Sequence, residues 1–206
     1  MLNKLAILLG LLCTIGTPCA WAQAVLNTQD YRIYAGDFNG DGKTDFLIIA
    51  KDPSRASGIY LSDGNGPNIP WQVWPSNYLG ISWAGNQYNV IVADFDGNGQ
   101  SDIFLQGTTP GDCYLLLTTA NGITAISQTI SPGTMGLVWT ADQHRIVAGD
   151  FNHDGKADLF LQAAVSTGVN AVILASPNGQ FTSSSPTQTW NDIYLGFSWS
   201  AQESIV

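Results

Sequence analysis

The stretch "GDFNGDGKTDFLI", residues 36–48, sets Asp37, Asn39, Asp41 and Asp45 around Gly40 and Gly42 and then runs directly into apolar residues. A single acidic cluster of this kind is an ordinary polar turn. The chain repeats it, however, as "ADFDGNGQSDIFL" at 93–105 and as "GDFNHDGKADLFL" at 149–161. Oxygen-bearing side chains recur at the same alternate positions each time, and an apolar segment follows each time.

Working outward, the loops begin at Asp37, Asp94 and Asp150, so the period is 57 and then 56 residues. Fixed self-similarity at this length indicates stacked supersecondary units. Other features keep the same phase. Asn65-Gly66, Asn121-Gly122 and Asn178-Gly179 follow the loop Asp by 28, 27 and 28 residues, and Asn-Gly is a strong hairpin signal because both residues tolerate positive φ. Trp83 and Trp139 each stand 11 residues ahead of a loop Asp, with Leu26 in that place in the first unit. Each unit reads as strand, acidic loop, strand, turn, strand, Asn-Gly turn, strand. In the second unit the strands fall near 88–93, 103–106, 113–118 and 123–130. Four short antiparallel strands per unit describe a β-propeller blade, which buries its faces by stacking on neighbours. The expected fold is therefore all-β, with blade cores near 30–78, 79–135 and 136–195. The lead-in of a fourth unit is expected at 196–206, where Gly196 and Trp199 match Gly80 and Trp83.

The loop chemistry is that of a hard cation. Position 1 is Asp37, Asp94 or Asp150; position 3 is Asn39, Asp96 or Asn152; position 5 is Asp41, Asn98 or Asp154; position 9 is Asp45, Asp102 or Asp158. Position 7, which is Lys43, Gln100 or Lys156, offers its backbone carbonyl. No thiol or imidazole stands at any of these ligand positions. Oxygen donors alone select calcium or magnesium, and six or more of them favour calcium. An EF-hand closes on a bidentate Glu at position 12. Here position 12 is Ile48, Leu105 or Leu161, and the Asp at position 9 closes the loop instead. About three calcium sites are expected, one per complete unit.

The triplicated D-x-[DN]-x-[DN]-G-x-x-D core resembles the FG-GAP repeat, also called the VCBS repeat, of integrin α-subunit propellers and many secreted bacterial proteins. The resemblance covers roughly residues 23–197. It implies a calcium-binding propeller whose ligands are the loop residues named above. "FLIIA", "IFLQG" and "LFLQA" replace the Gly-Ala-Pro element of the integrin form. The same repeats occur near the N-terminus of exported RHS and toxin-complex proteins, so a propeller portion of a larger effector is the alternative reading.

Composition agrees with a packed β protein. Of 206 residues, 45% are hydrophobic and only 11% charged, which excludes a disordered chain. The formal net charge is −9, and nine of the 16 acidic residues lie in the three loops. Seven scattered basic residues do not make a nucleic-acid surface. Lys4, the apolar run Leu5–Leu12 and the Ala20-Trp21-Ala22 site read as a secretory signal peptide over 1–22, cleaved after Ala22. The mature chain is then expected to be secreted or periplasmic, with no transmembrane segment. It would keep Cys113 alone, as a buried strand residue, so no internal disulfide staples it.

Catalytic patterns are missing. His144 and His153, the two histidines, lack a nucleophile partner, with His153 expected on the outside of its loop, and neither G-x-S-x-G nor a P-loop occurs. The expected function is a non-catalytic scaffold for a protein or carbohydrate ligand, completed by further blades of a longer chain or by partner chains. The tryptophans are expected to pack between blades, except Trp71 and Trp74, which are the expected exposed pair.

Overall fold

The computed structural model describes residues 28–191 except 166 and 184, together with the two-residue strand pairs Ala6–Ile7 with Ala24–Val25 and Ile193–Tyr194 with Phe197–Ser198. The expected signal peptide, Leu26, and the lead-in at 196–206 lie outside the residues described in detail. Three four-stranded antiparallel meanders follow one another. The first comprises β1 (Tyr31–Gly36), β2 (Asp45–Ala50), β3 (Ser57–Ser62) and β4 (Pro67–Trp74). The second comprises β5 (Tyr88–Ala93), β6 (Asp102–Gly107), β7 (Cys113–Leu116) and β8 (Gln128–Ile130). The third comprises β9 (His144–Gly149), β10 (Asp158–Ala163), β11 (Asn170–Ile173) and β12 (Gln188–Trp190). Each sheet is ordered as in sequence, so neighbours in the chain are neighbours in the sheet. This is the strand pattern of propeller blades, and no α-helix occurs among the described residues.

The acidic loop joins the first two strands of every sheet, and the registers repeat residue for residue. Gly36 pairs with Asp45, Ala93 with Asp102, and Gly149 with Asp158. The second strand is the most buried of each sheet; all six residues of β6 are buried.

Two local expectations are corrected. The fourth strand of the second sheet spans Gln128–Ile130, not 123–130, since Ile123 leaves the ladder and is fully buried. At the Asn-Gly turns, Gly66, Gly122 and Gly179 take φ of 135°, 77° and 79°, while no Asn of the three has positive φ. These turns therefore use one left-handed glycine, not the two positive-φ residues of a two-residue type I′ hairpin.

The chain divides into two compact units, Met1–Gly85 and Asn86–Val206. In the first, Trp74 is 3% exposed, stacked on Tyr78 at 5.3 Å and tilted against Trp83 at 5.2 Å. The expected exposed pair is thus half wrong: Trp74 is core, and Trp71 is half-buried. The reason is that the Gly80–Trp83 lead-in, which opens the next repeat in sequence, folds back over the first sheet. Trp83 Nε1 donates to Tyr78 O, and Trp139 Nε1 donates to Thr134 O, both at 3.0 Å. Each pair brackets a 3₁₀ turn whose central residue, Leu79 or Met135, sits at φ near +57°.

In the second unit, the second and third sheets share one apolar cluster containing Phe95, Phe104, Leu115, Trp139, Leu159, Leu161, Ile173 and Phe181. Gln106, buried in the middle of β6, donates to Trp139 O at 3.0 Å and His144 O at 2.7 Å, so a polar side chain ties the sheets together. His144 is itself buried, and its ring nitrogens meet Val138 O and Val169 O.

Cys113 is fully buried in this cluster, and burial pushes its thiol up to about 11. At pH 8 only about one molecule in a thousand would carry the thiolate that alkylating reagents need. Iodoacetamide should therefore leave Cys113 of the native protein unlabelled for hours and modify it promptly in denaturant. Rapid labelling of the native chain would show that the cluster opens.

Candidate metal centres

Each acidic loop is built by the same set of backbone-to-side-chain bonds. In the second loop Asp94 Oδ1 accepts the N–H groups of Gly97 at 2.7 Å and Asn98 at 3.2 Å, and its Oδ2 accepts that of Gly99 at 2.8 Å. Asn98 N–H is shared with Asp96 Oδ1, and Gln100 N–H goes to Asn98 Oδ1 at 2.7 Å. The first loop repeats this with Asp37 accepting from Gly40, Asp41 and Gly42, Asn39 from Asp41, and Asp41 from Lys43. In the third, Asp150 accepts from Asp154 and Gly155, Asn152 from Asp154, and Asp154 from Lys156. The curl needs left-handed residues at positions 4 and 6. Gly40 and Gly97 fill position 4 at φ 73° and 74°, and His153 fills it at 64°, exposed as expected. Histidine is among the side chains that tolerate this region.

The Asp at position 9 does more than close a ligand shell. Asp45, Asp102 and Asp158 are fully buried. One oxygen of each accepts the N–H of the loop phenylalanine, Phe38, Phe95 or Phe151, at 2.8 to 3.0 Å. The other accepts an N–H at the end of the third strand or just past it, from Ser62, Thr118 or Ala175, at 2.7 to 2.8 Å. The donor in that second bond lies 16 or 17 residues further along the chain. This cross-brace is invisible in the loop motif.

The three loops differ electrostatically. Lys43 pairs with Asp41 at 2.8 Å and Lys156 with Asp154 at 3.4 Å, so in these two loops an ammonium already faces the position-5 carboxylate. The Lys43 hydrogen bond holds the Asp41 carboxyl below its ordinary value. The second loop has Asn98 and Gln100 in those places and no such ammonium. There, carboxylate oxygens of Asp94, Asp96 and Asp102 lie within 4.8 Å of one another. Burial raises the Asp96 carboxyl, and pushes that of Asp102 up to about 7 against the opposing bonds from Thr118 and Phe95. Three carboxylates this close, one of them wholly buried, repel strongly in the absence of a cation. All the side-chain donors are oxygen. The residues present thus fit a hard divalent cation, and best in the second loop.

The second loop is also walled by the third sheet. Asp94 O accepts Ala157 N–H at 2.7 Å. Gly179, at φ +79°, sits against Asp96 so closely that a Cβ there would lie 2.7 Å from Asp96 Cβ and 3.0 Å from its Cα. Gly179→Ala should cost about 2 kcal/mol, adding this clash to the strain of a left-handed alanine. Gly85→Ala is the control, because Gly85 has nearly the same φ, +76°, and nothing lies within 4 Å of its added Cβ. Equal melting-point losses in the two variants would show that the contact with Asp96 carries no energy.

A fold of four-stranded meanders, each with a D-x-[DN]-x-[DN]-G-x-x-D loop and a braced final Asp between its first two strands, defines a repeat protein of the propeller class. The family described as "FG-GAP-like repeat" matches residues 37–105 and 94–161, and the chain belongs to that family. Integrin alpha-PS3 of Drosophila melanogaster is similar at 27% identity, over 80% of this chain and 16% of that protein. A solved structure of an Agrocybe aegerita lectin, described for specific recognition of non-reducing terminal N-acetylglucosamine, superposes with a TM-score of 0.52 at 20% identity. That match covers 80% of this chain and 38% of the lectin chain, and it bears on fold alone. The chain thus spans well under half the length of either relative. No helix among the described residues is long and apolar enough to cross a membrane.

Proposed function

We propose that this chain is an exported, non-catalytic propeller module in which calcium stiffens each blade and the blades present a surface to a protein or glycan. The observation that carries the calcium reading is the second loop: three converging carboxylates, one buried and without a cationic partner. Asp37, Asn39, Asp41 and Asp45 would hold the ion in the first loop, and Asp150, Asn152, Asp154 and Asp158 in the third. The carbonyls of Lys43, Gln100 and Lys156 would add to each shell. The bound ion would supply positive charge and cross-linking, and no chemistry. An extracellular or periplasmic setting is supported by the N-terminal Lys4 to Ala22 pattern and by the likeness to an integrin α-subunit. The scaffold role is supported by family membership and by the lack of a catalytic motif in the sequence.

Calorimetric titration tests the reading directly. Calcium should bind with a Kd on the order of 10⁻⁴ to 10⁻³ M, as in extracellular modules. Magnesium should bind more weakly, because it is smaller, demands octahedral geometry and gives up its waters reluctantly. Equal affinities for the two ions would refute the coordination proposed here. For the scaffold role, an array of neutral glycans and of candidate surface proteins is the screen, with calcium-dependent capture the expected result.

A further inference from the structure

The sequence contains five Asn-Gly pairs, at 39–40, 65–66, 98–99, 121–122 and 178–179. An asparagine before glycine is open to a reaction that needs no enzyme. The glycine nitrogen, having lost its proton to a solvent base, attacks the asparagine Cγ, and glycine has no Cβ to shield that nitrogen. A C–N bond forms, the Cγ–Nδ2 bond breaks, and the amide nitrogen takes up a proton and leaves as ammonia. Water then opens the resulting succinimide at either carbonyl, giving aspartate or isoaspartate. The sum is one water consumed and one ammonia released.

The attack requires a glycine N–H that is not held by an acceptor, and four of the five are held. Gly40 N–H donates to Asp37 Oδ1 at 2.7 Å and Gly99 N–H to Asp94 Oδ2 at 2.8 Å. Gly122 N–H donates to Thr119 O at 2.7 Å and Gly179 N–H to Ser176 O at 2.8 Å. Several of the carboxamides are held as well. Asn39 Oδ1 accepts Asp41 N–H at 3.0 Å, Asn98 Nδ2 donates to Thr118 O at 2.9 Å, and Asn178 Nδ2 donates to Gln180 Oε1 at 3.0 Å.

The pair in the β3–β4 turn differs. Asn65 is bonded through its backbone N–H, to Asp63 Oδ1 at 2.8 Å. Among the described residues, neither its carboxamide nor the Gly66 N–H has a partner. Gly64 and Gly66 flank it at φ +100° and +135°, and nothing lies within 4 Å of a Cβ built on either, so the turn has room for the ring. Exposure does not separate the pairs, since Asn98, Asn121 and Asn178 are exposed too. The bond on the glycine does.

We propose that Asn65 is a self-modifying site, which converts to aspartate and isoaspartate in the folded protein while the fold protects the other four Asn-Gly pairs. The product places a new carboxylate beside Asp63. Its isoaspartate form also adds a methylene to the main chain of a turn next to which the ladder already slips, between Leu61 and Ser62. In the acidic loops the bonds from Asp37 and Asp94 that make the curl also preserve the side chains of Asn39 and Asn98.

Ageing the full chain at mildly alkaline pH, followed by chymotryptic digestion and mass spectrometry, tests this. Aromatic residues and leucines separate the five asparagines, so each falls in its own peptide. In the native protein Asn65 should convert about tenfold faster than the other four or more, because a held N–H must first open. In denaturant the five rates should converge. Ion exchange of the intact aged protein should show a new acidic species that elutes with unaged Asn65→Asp and does not form in Asn65→Gln. Equal native rates at the five pairs overturn the proposal, as does an acidic species that persists in Asn65→Gln. A lead for Asn65 that survives in denaturant would assign the selectivity to local sequence and not to the fold, and overturns it too.

Discussion

Moved from 10 mM calcium into excess chelator, the protein should lose about 4 to 8 kcal/mol of stability. The estimate is mass action at three sites. A ligand bound only by the folded state stabilises it by RT ln(1 + [L]/Kd), about 1.4 kcal/mol per site at ten times Kd and about 2.7 at a hundred times. Chains of about this length shift by roughly 2 to 4 °C per kcal/mol, so the melting temperature should fall by about 10 to 30 °C. Whole domains have only about 5 to 15 kcal/mol to lose, and the chelated protein should sit near the edge of folding. The large effect follows from the charge distribution. Nine of 16 acidic residues are packed into three loops, and no cysteine pair is available within the described residues to staple them. Differential scanning calorimetry in the two buffers makes the measurement, with exposure of Cys113 to alkylation as an independent readout of opening. A melting temperature indifferent to chelation would remove structural calcium from this protein.

The loops and first two strands of each blade were legible because their signals are local. Oxygen side chains at positions 1, 3, 5 and 9, a left-handed glycine at position 6 and an apolar run immediately after leave little freedom for any other arrangement. What escaped the sequence depends on residues far along the chain. The N–H that braces Asp102 belongs to Thr118, and its counterparts to Ser62 and Ala175, so a loop motif cannot reveal that the final Asp holds the third strand. Trp74 reads as unpaired in a repeat comparison because its partner, Trp83, is counted with the following unit yet folds onto the first sheet. Gln106 reads as a polar interruption in an apolar strand. Its two bonds to the third sheet become evident only when Trp139 and His144 are in place. Gly179 looks like any hairpin glycine until Asp96 is seen against it. For the brace the missing information is the pairing of the second and third strands within one sheet, and for Trp74, Gln106 and Gly179 it is the packing of one repeat on the next, which periodicity announces without specifying.

Two substitutions at Asp102 should therefore separate its two tasks. The carboxylate is fully buried, with Oδ2 on Phe95 N–H at 2.8 Å and Oδ1 on Thr118 N–H at 2.7 Å. Asp102→Ala strands both N–H groups in the interior. At about 1 to 3 kcal/mol for each unmet donor, the loss should be near 4 kcal/mol in chelator, and larger in calcium by one site's share, about 1.4 to 2.7 kcal/mol. Asp102→Asn keeps the shape and one acceptor oxygen but removes the charge. Without metal that charge is a liability, since it is buried beside the carboxylates of Asp94 and Asp96. Losing it offsets the mismatch of the amide against the second N–H, so the Asn variant in chelator should melt within a few degrees of the wild type. In calcium the same variant should forfeit one site's share of the stabilisation, about 1.4 to 2.7 kcal/mol. The two variants thus move in different buffers for different reasons. If Asp102→Asn gains as much from calcium as the wild type, Asp102 is a brace and not a ligand, and the second loop loses its metal. If Asp102→Ala melts like the wild type in chelator, the two N–H groups find other acceptors and the brace itself is not what holds Thr118 to the loop.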